Sequence, residues 1–136
     1  ADLKKSKGLY PCAYETLWSV RKANNAMFLD LTLIQRSSDY LLANYINKIQ
    51  YVALLLMVSS HLGYNPGVFV HFVQNLHVYD RHFDAVNEIL NRKDLGIQPL
   101  IKLTENKSFY DFTIDDFIIE NINGIKKIES KIEVAI

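Results

Sequence analysis

The stretch Asp39–Gly63, DYLLANYINKIQYVALLLMVSSHLG, decides the fold. Ile46, Ile49, Val52, Ala53, Leu56 and Met57 recur at helical spacing, while Leu54 and Leu55 fill in the other side. A helix apolar nearly all round is buried. Gly63 is the C-cap candidate, and Pro66 lies beyond it. On either side the period changes to two. Tyr14, Thr16, Trp18 and Val20 alternate with Glu15, Leu17, Ser19 and Arg21. After the turn signal KANNA, the run MFLDLTLIQRS alternates again, which predicts a hairpin over residues 14–36. In its second strand Leu29, Leu31 and Leu33 share one face, and Asp30 and Thr32 the other.

Downstream, VFVHFVQNLHVY reads as a strand and YDRHFDAVNEILNR as an amphipathic helix with Phe83, Val86, Ile89 and Leu90 inward. QPLIKL reads as a strand. SFYDFTIDDFIIENI and IESKIEVAI read as further strand or extended segments, with Asn123-Gly124 as a turn. The element order predicts an α+β fold, a mixed β-sheet packed against a long buried helix.

The chain has 136 residues, enough for one domain with a sizeable core, and 49% of them are hydrophobic. Lys+Arg and Asp+Glu number 15 each, so nothing in the charge balance asks for nucleic acid or an anionic membrane. A single cysteine allows no disulfide framework, and a reducing cytoplasm is the simpler location. No apolar run is long enough to span a bilayer. The opening ADLKKSKG lacks Met and runs straight into strand-like sequence, as the cut end of a longer protein does.

Four sets of residues carry candidate chemistry. Cys12 follows Pro11 in an extended segment. An isolated cysteine is more often a small buried hydrophobe, and a nucleophilic one needs a positive neighbour to favour the thiolate. Arg36 stands at a strand end, followed by Ser37, Ser38 and Asp39. A guanidinium fork with nearby hydroxyls suits a phosphate, and the alternative is that Ser38 or Asp39 caps the next helix. Asn47 lies in an otherwise apolar helix. Its amide offers one donor and one acceptor, which suits a pyrimidine edge as well as a local backbone bond. His77 and Tyr79 alternate, so both project from one strand face, where two polar rings can hold a sugar. The four histidines lack a metal-ligand spacing, and no metal is expected.

Taken in order, LYPCAYETLW, LDLTLIQRSSD, Asn47 in NKIQYVALL, LHVYDRH, FYDFTIDDF and a terminal VAI resemble the C-terminal half of the thymidylate synthases, in the Bacillus-type branch. The resemblance covers essentially residues 1–136, read as the C-terminal part of such a domain with the N-terminal half absent. It implies methylation of dUMP to dTMP with 5,10-methylenetetrahydrofolate as one-carbon donor and reductant. It also implies a homodimer whose sheets pack back to back. Cys12 matches the nucleophile that adds to C6 of the uracil. Arg36 and Ser37 match phosphate-binding positions, and Ser38 and Asp39 complete the segment toward pyrimidine and folate. Asn47 matches the amide that separates uracil from cytosine; His77 and Tyr79, with Val78 between them, match the deoxyribose contacts. Gln35 belongs to the same surroundings, and Val134-Ala135-Ile136 match a mobile tail that closes over folate, Ala135 being the contact.

Two departures fall where ligands belong. The family's Gly-Gly-Asp run is Val73-Gln74-Asn75 here, and its Gly-x-Pro-Phe is Ala43-Asn44-Tyr45-Ile46. The family's catalytic glutamate, folate-site tryptophans and further arginines lie upstream of the matched region. The expectation is therefore that this polypeptide alone makes no dTMP at a useful rate; tritium release from C5-labelled dUMP by the 136-residue chain contradicts it. A pyrimidine hydroxymethylase and a non-catalytic pyrimidine-nucleotide-binding or interaction module remain alternatives.

Overall fold

The computed structural model describes residues 10–134. Strands β1 (Ala13–Ala23) and β2 (Ala26–Asp39) form the expected antiparallel hairpin. Asn24 and Asn25, at φ 49° and 60°, make its two-residue turn. Positive φ at both positions matches the strand twist, and asparagine tolerates it. Helix α1 (Ala43–Leu62) follows and ends at Gly63, whose φ of 68° lets the chain reverse while Tyr64 N–H bonds the Ser59 carbonyl. Strand β3 (Asn65–His77) then returns parallel to β2, so the sheet is mixed, in the order β1-β2-β3.

The period-two pattern of β2 places its apolar face against α1. Leu29, Leu31 and Leu55 form the core, with Tyr51, Val58, Tyr64 and Phe69 packed around them. Leu31 and Leu33 are 0% exposed. Burial of a leucine side chain contributes roughly 1.5–3 kcal/mol, so this face anchors the layer. The expectation that α1 is buried all round is corrected. Tyr45, Ile46 and Ile49 are exposed, because the sheet covers one side of the helix and the segment at 106–109 meets it near its C-terminal end, through Ser60 and His61.

A 3₁₀ turn (Asp80–His82) leads into helix α2 (Phe83–Leu90). Its inward face is not the expected one. His82 and Ala85 are buried, whereas Phe83, Ile89 and Leu90 are exposed, Leu90 by 75%. Beyond the turn that starts it, α2 packs against little among the described residues, so its apolar face stays largely uncovered. Beyond α2, β4 (Leu100–Leu103) pairs antiparallel with β5 (Phe117–Glu120) in a separate small sheet. Most of residues 108–116 between them form 3₁₀ turns rather than a strand. There Asp116 accepts Lys107 Nζ at 2.6 Å and Thr113 N–H at 2.7 Å, which hold its carboxyl down at about 2. Residues 128–134 form no strand either; side-chain bonds described below hold them instead. The Asn123-Gly124 turn is present, with Gly124 at φ 86°. No helix among the described residues is long and apolar enough to cross a membrane.

Candidate functional site

Parallel β2 and β3 end together, and that end collects the candidate residues. The register sets Ser37 beside Asn75, Ser38 beside Leu76 and Asp39 beside His77. Tyr40 N–H bonds the His77 carbonyl at 2.8 Å and locks the two strand ends. In open sheets, ligands gather outside the carboxyl ends of parallel strands. Helix α1 starts at this same end, with half-buried Asn47 in its second turn.

Cys12 reaches this end because β1 runs antiparallel to β2. Ala13 pairs with Gln35, and an irregularity between Ala13 and Glu15 bends the strand beside the cysteine. Arg36 holds the cysteine segment. Its backbone N–H bonds the Cys12 carbonyl at 2.9 Å. Its side chain donates from Nε to the Pro11 carbonyl at 3.2 Å and from Nη2 to the Tyr10 carbonyl at 2.7 Å. A guanidinium carries about five N–H donors, so most remain for an anion, and the residue is exposed. The Cys12 thiol is half-buried and makes only a long contact, 3.8 Å, to the Tyr10 carbonyl.

Asp39 uses one carboxylate oxygen for structure. Oδ1 accepts Leu41 N–H at 2.9 Å and Leu42 N–H at 3.4 Å, fixing the turn before α1; the helix N-cap itself is Leu42, without a side-chain cap, so neither Ser38 nor Asp39 caps the helix. Oδ2 faces His82 Nδ1 at 3.8 Å. The His77 and Tyr79 rings meet edge-on, 5.0 Å between centroids, so the two candidate sugar contacts are neighbours, with half-buried Val78 between them.

Two candidates turn inward. Gln35 is 1% exposed and accepts His71 Nε2–H at 2.5 Å. Burial, then the Lys48 charge, lowers the His71 pKa, so the neutral ring is favoured in this bond. Ser38 is 3% exposed, with its hydroxyl unpartnered. Both belong to the wall behind the site rather than to its open surface. Ala135 lies outside the described residues.

Both departures lie along the site. Val73-Gln74-Asn75 continue β3, with Val73 opposite Gln35. Tyr45, in the first turn of α1, donates to the Tyr40 hydroxyl at 2.9 Å. That bond, then burial, pushes its phenol up to about 12. Two residues escaped the sequence reading. Glu88 of α2 and Arg92, just beyond its end, clamp the chain at 126–130: Arg92 donates to the Lys126 and Lys127 carbonyls, and Glu88 accepts Glu129 and Ser130 N–H. Their i,i+4 spacing was the available signal.

The thymidylate synthase family model matches residues 1–134. The chain is 40% identical over 125 residues to a thymidylate synthase of Streptococcus pyogenes serotype M5 (strain Manfredo), covering 90% of this chain and 45% of that protein. It is 39% identical over 134 residues to that of Streptococcus suis (strain 05ZYH33), covering 97% and 48%. Among solved structures it is similar to thermostable thymidylate synthase A from Bacillus subtilis, at a TM-score of 0.78 and 35% identity over 91% of this chain and 43% of that one. The chain thus spans about half the length of these relatives. Sequence match and shared fold together make the chain a member of the thymidylate synthase family.

Proposed function

We propose that these residues are the nucleophile-bearing, nucleotide-binding half of an enzyme that methylates dUMP to dTMP, residues 1–136 being the C-terminal part of its domain. The observation that carries it is Arg36 bound to the Tyr10 and Pro11 carbonyls, which joins the anion-binding residue to the cysteine loop. In this reading Cys12 Sγ adds to C6 of the uracil as the nucleophile. C5 becomes enolate-like and forms the bond to the one-carbon unit. Loss of the C5 proton breaks the bond between the one-carbon unit and the folate nitrogen, hydride from the reduced folate is delivered to that unit, and the thiolate departs from C6, leaving dTMP and dihydrofolate. Here 5,10-methylenetetrahydrofolate is the second substrate, supplying both carbon and hydride.

Arg36 and Ser37 take the phosphate, Asn47 reads the pyrimidine edge, and His77 and Tyr79, with Val78 between them, hold the deoxyribose. Gln35 and Ser38 back this wall. Asp39, whose Oδ2 is outside the turn bonds, and Ala135 take the folate side. The cytoplasm is the proposed location. The partner is a second copy: Leu17, Val68, Val70 and Phe72 are exposed on the sheet face opposite α1, a ready surface for back-to-back packing. Asn47 favours uracil over cytosine, which ranks a cytosine-directed hydroxymethylase lower.

Calorimetric titration tests the assignment. dUMP is expected to bind more tightly than deoxyuridine or dCMP, and Arg36→Ala to erase the preference over deoxyuridine. Equal binding of all three ligands contradicts it.

A further inference from the structure

His82 is 0% exposed, the most completely buried titratable side chain at this end of the fold. Its ring joins three things. Nε2 lies 2.7 Å from the Glu133 carbonyl, near the end of the chain. A carbonyl only accepts, so Nε2 carries the proton. Nδ1 faces Asp39 Oδ2 at 3.8 Å, too far for a hydrogen bond, and has no partner among the described residues. The ring plane meets Tyr79 edge-on at 5.9 Å. An unpartnered buried nitrogen is destabilising, so its direction toward a carboxylate calls for a reason. The segment it holds is already fastened once: Glu88 takes Ser130 N–H at 2.8 Å and Ser130 Oγ at 2.7 Å. His82 supplies a second fastening, three residues further along.

We propose that His82 is a positioning residue that fastens the C-terminal segment beside Asp39, so that one buried ring sets the path of residues 131–134 and fills the space next to the Asp39 carboxylate. The Glu88–Ser130 contact fixes where the segment leaves α2. The Nε2 bond fixes its direction beyond that point, and the ring edge at Nδ1, which makes no bond to Asp39 Oδ2, occupies the space on that side of the carboxylate. The consequence for ligands rests on the function proposed above, whereas the tie itself is a property of the chain without ligand.

Side-chain geometry separates the two ring nitrogens. In His82→Gln the amide nitrogen replaces Nε2 and keeps a donor for Glu133, while nothing replaces Nδ1. His82→Ala removes both. The readout is ¹⁵N relaxation on the 136-residue chain without ligand. In His82→Ala, order parameters at Lys131–Val134 are expected to fall from about 0.85 to below about 0.6. In His82→Gln they stay near the unsubstituted values, while the Leu41 and Leu42 amide resonances, which report on Asp39, shift. Either of two results overturns the proposal: unchanged order in His82→Ala, or equal loss in His82→Gln. Should His82→Ala fail to fold, retention of tail order in His82→Gln with shifted Leu41 and Leu42 still decides in favour, and its absence against. Because no ligand enters, failure here leaves the calorimetric test of nucleotide binding untouched, and the reverse holds as well.

Discussion

Substitution of Arg36 probes the junction on which the proposed site depends. The guanidinium donates to the Tyr10 and Pro11 carbonyls at 2.7 and 3.2 Å, and the Arg36 backbone N–H bonds the Cys12 carbonyl at 2.9 Å. That backbone bond breaks when the cysteine segment opens locally, so its hydrogen exchange reports the opening. Both side-chain bonds lie at an exposed residue, which places each at about 0.5–1 kcal/mol net rather than the larger value of a buried charged bond. Arg36→Ala loses both, or about 1–2 kcal/mol, and exchange at residue 36 should rise roughly 5- to 30-fold. Arg36→Lys keeps the charge but replaces the fork with a single point donor, so its exchange should fall between the two. The Leu31 amide, deep in the sheet, serves as the control for global unfolding. A change of less than about twofold at residue 36, with Leu31 unaffected, refutes the idea that the guanidinium holds the cysteine loop.

Two further outcomes follow from single contacts. Ser130 and Glu129 donors hold the Glu88 carboxyl down at about 2, against an ordinary value of 4.5. A carboxyl held low stabilises its contacts fully above the ordinary value and loses them as pH falls from 4.5 toward 2, so the Glu129 and Ser130 amide resonances should titrate across that window. Glu88→Gln should abolish the transition, and an identical titration in the variant argues against the clamp. At Gly67 a Cβ would stand 1.9 Å from Asp30 Oδ1 and 2.7 Å from the Leu29 carbonyl. Gly67→Ala should therefore destabilise by about 1–3 kcal/mol in urea unfolding, because the strand backbone must move; an unchanged midpoint contradicts the close approach.

Much of this was legible in the sequence because local rules governed it. Alternation in β2 placed Leu29, Leu31 and Leu33 in the core, and Asn24-Asn25 and Gly63 marked reversals that need positive φ. The inward face of α2 and the all-round burial of α1 were misread for one reason: apolarity states what a surface needs, not whether the described residues supply it. Cys12, Arg36, Asp39, His77 and Tyr79 were legible as site candidates, and parallel strand ends bring most of them together. Gln35 and Ser38 show the limit: Gln35 turns inward by continuing the alternation of Leu29, Leu31 and Leu33, whereas Ser38 does so because the alternation breaks phase after Arg36. The role of His82 depends on a carbonyl 51 residues away, and no spacing rule reaches that far.

The central claim is that Cys12 is the thiol that adds to a pyrimidine nucleotide held by Arg36. Intact mass measured after incubation with 5-fluoro-dUMP and methylenetetrahydrofolate tests it most directly, because fluorine at C5 cannot leave as the proton does and the adduct stalls. The account predicts a covalent increment on Cys12 that disappears in Cys12→Ser. An unmodified mass in a sample that binds dUMP, or an increment that survives Cys12→Ser, contradicts it.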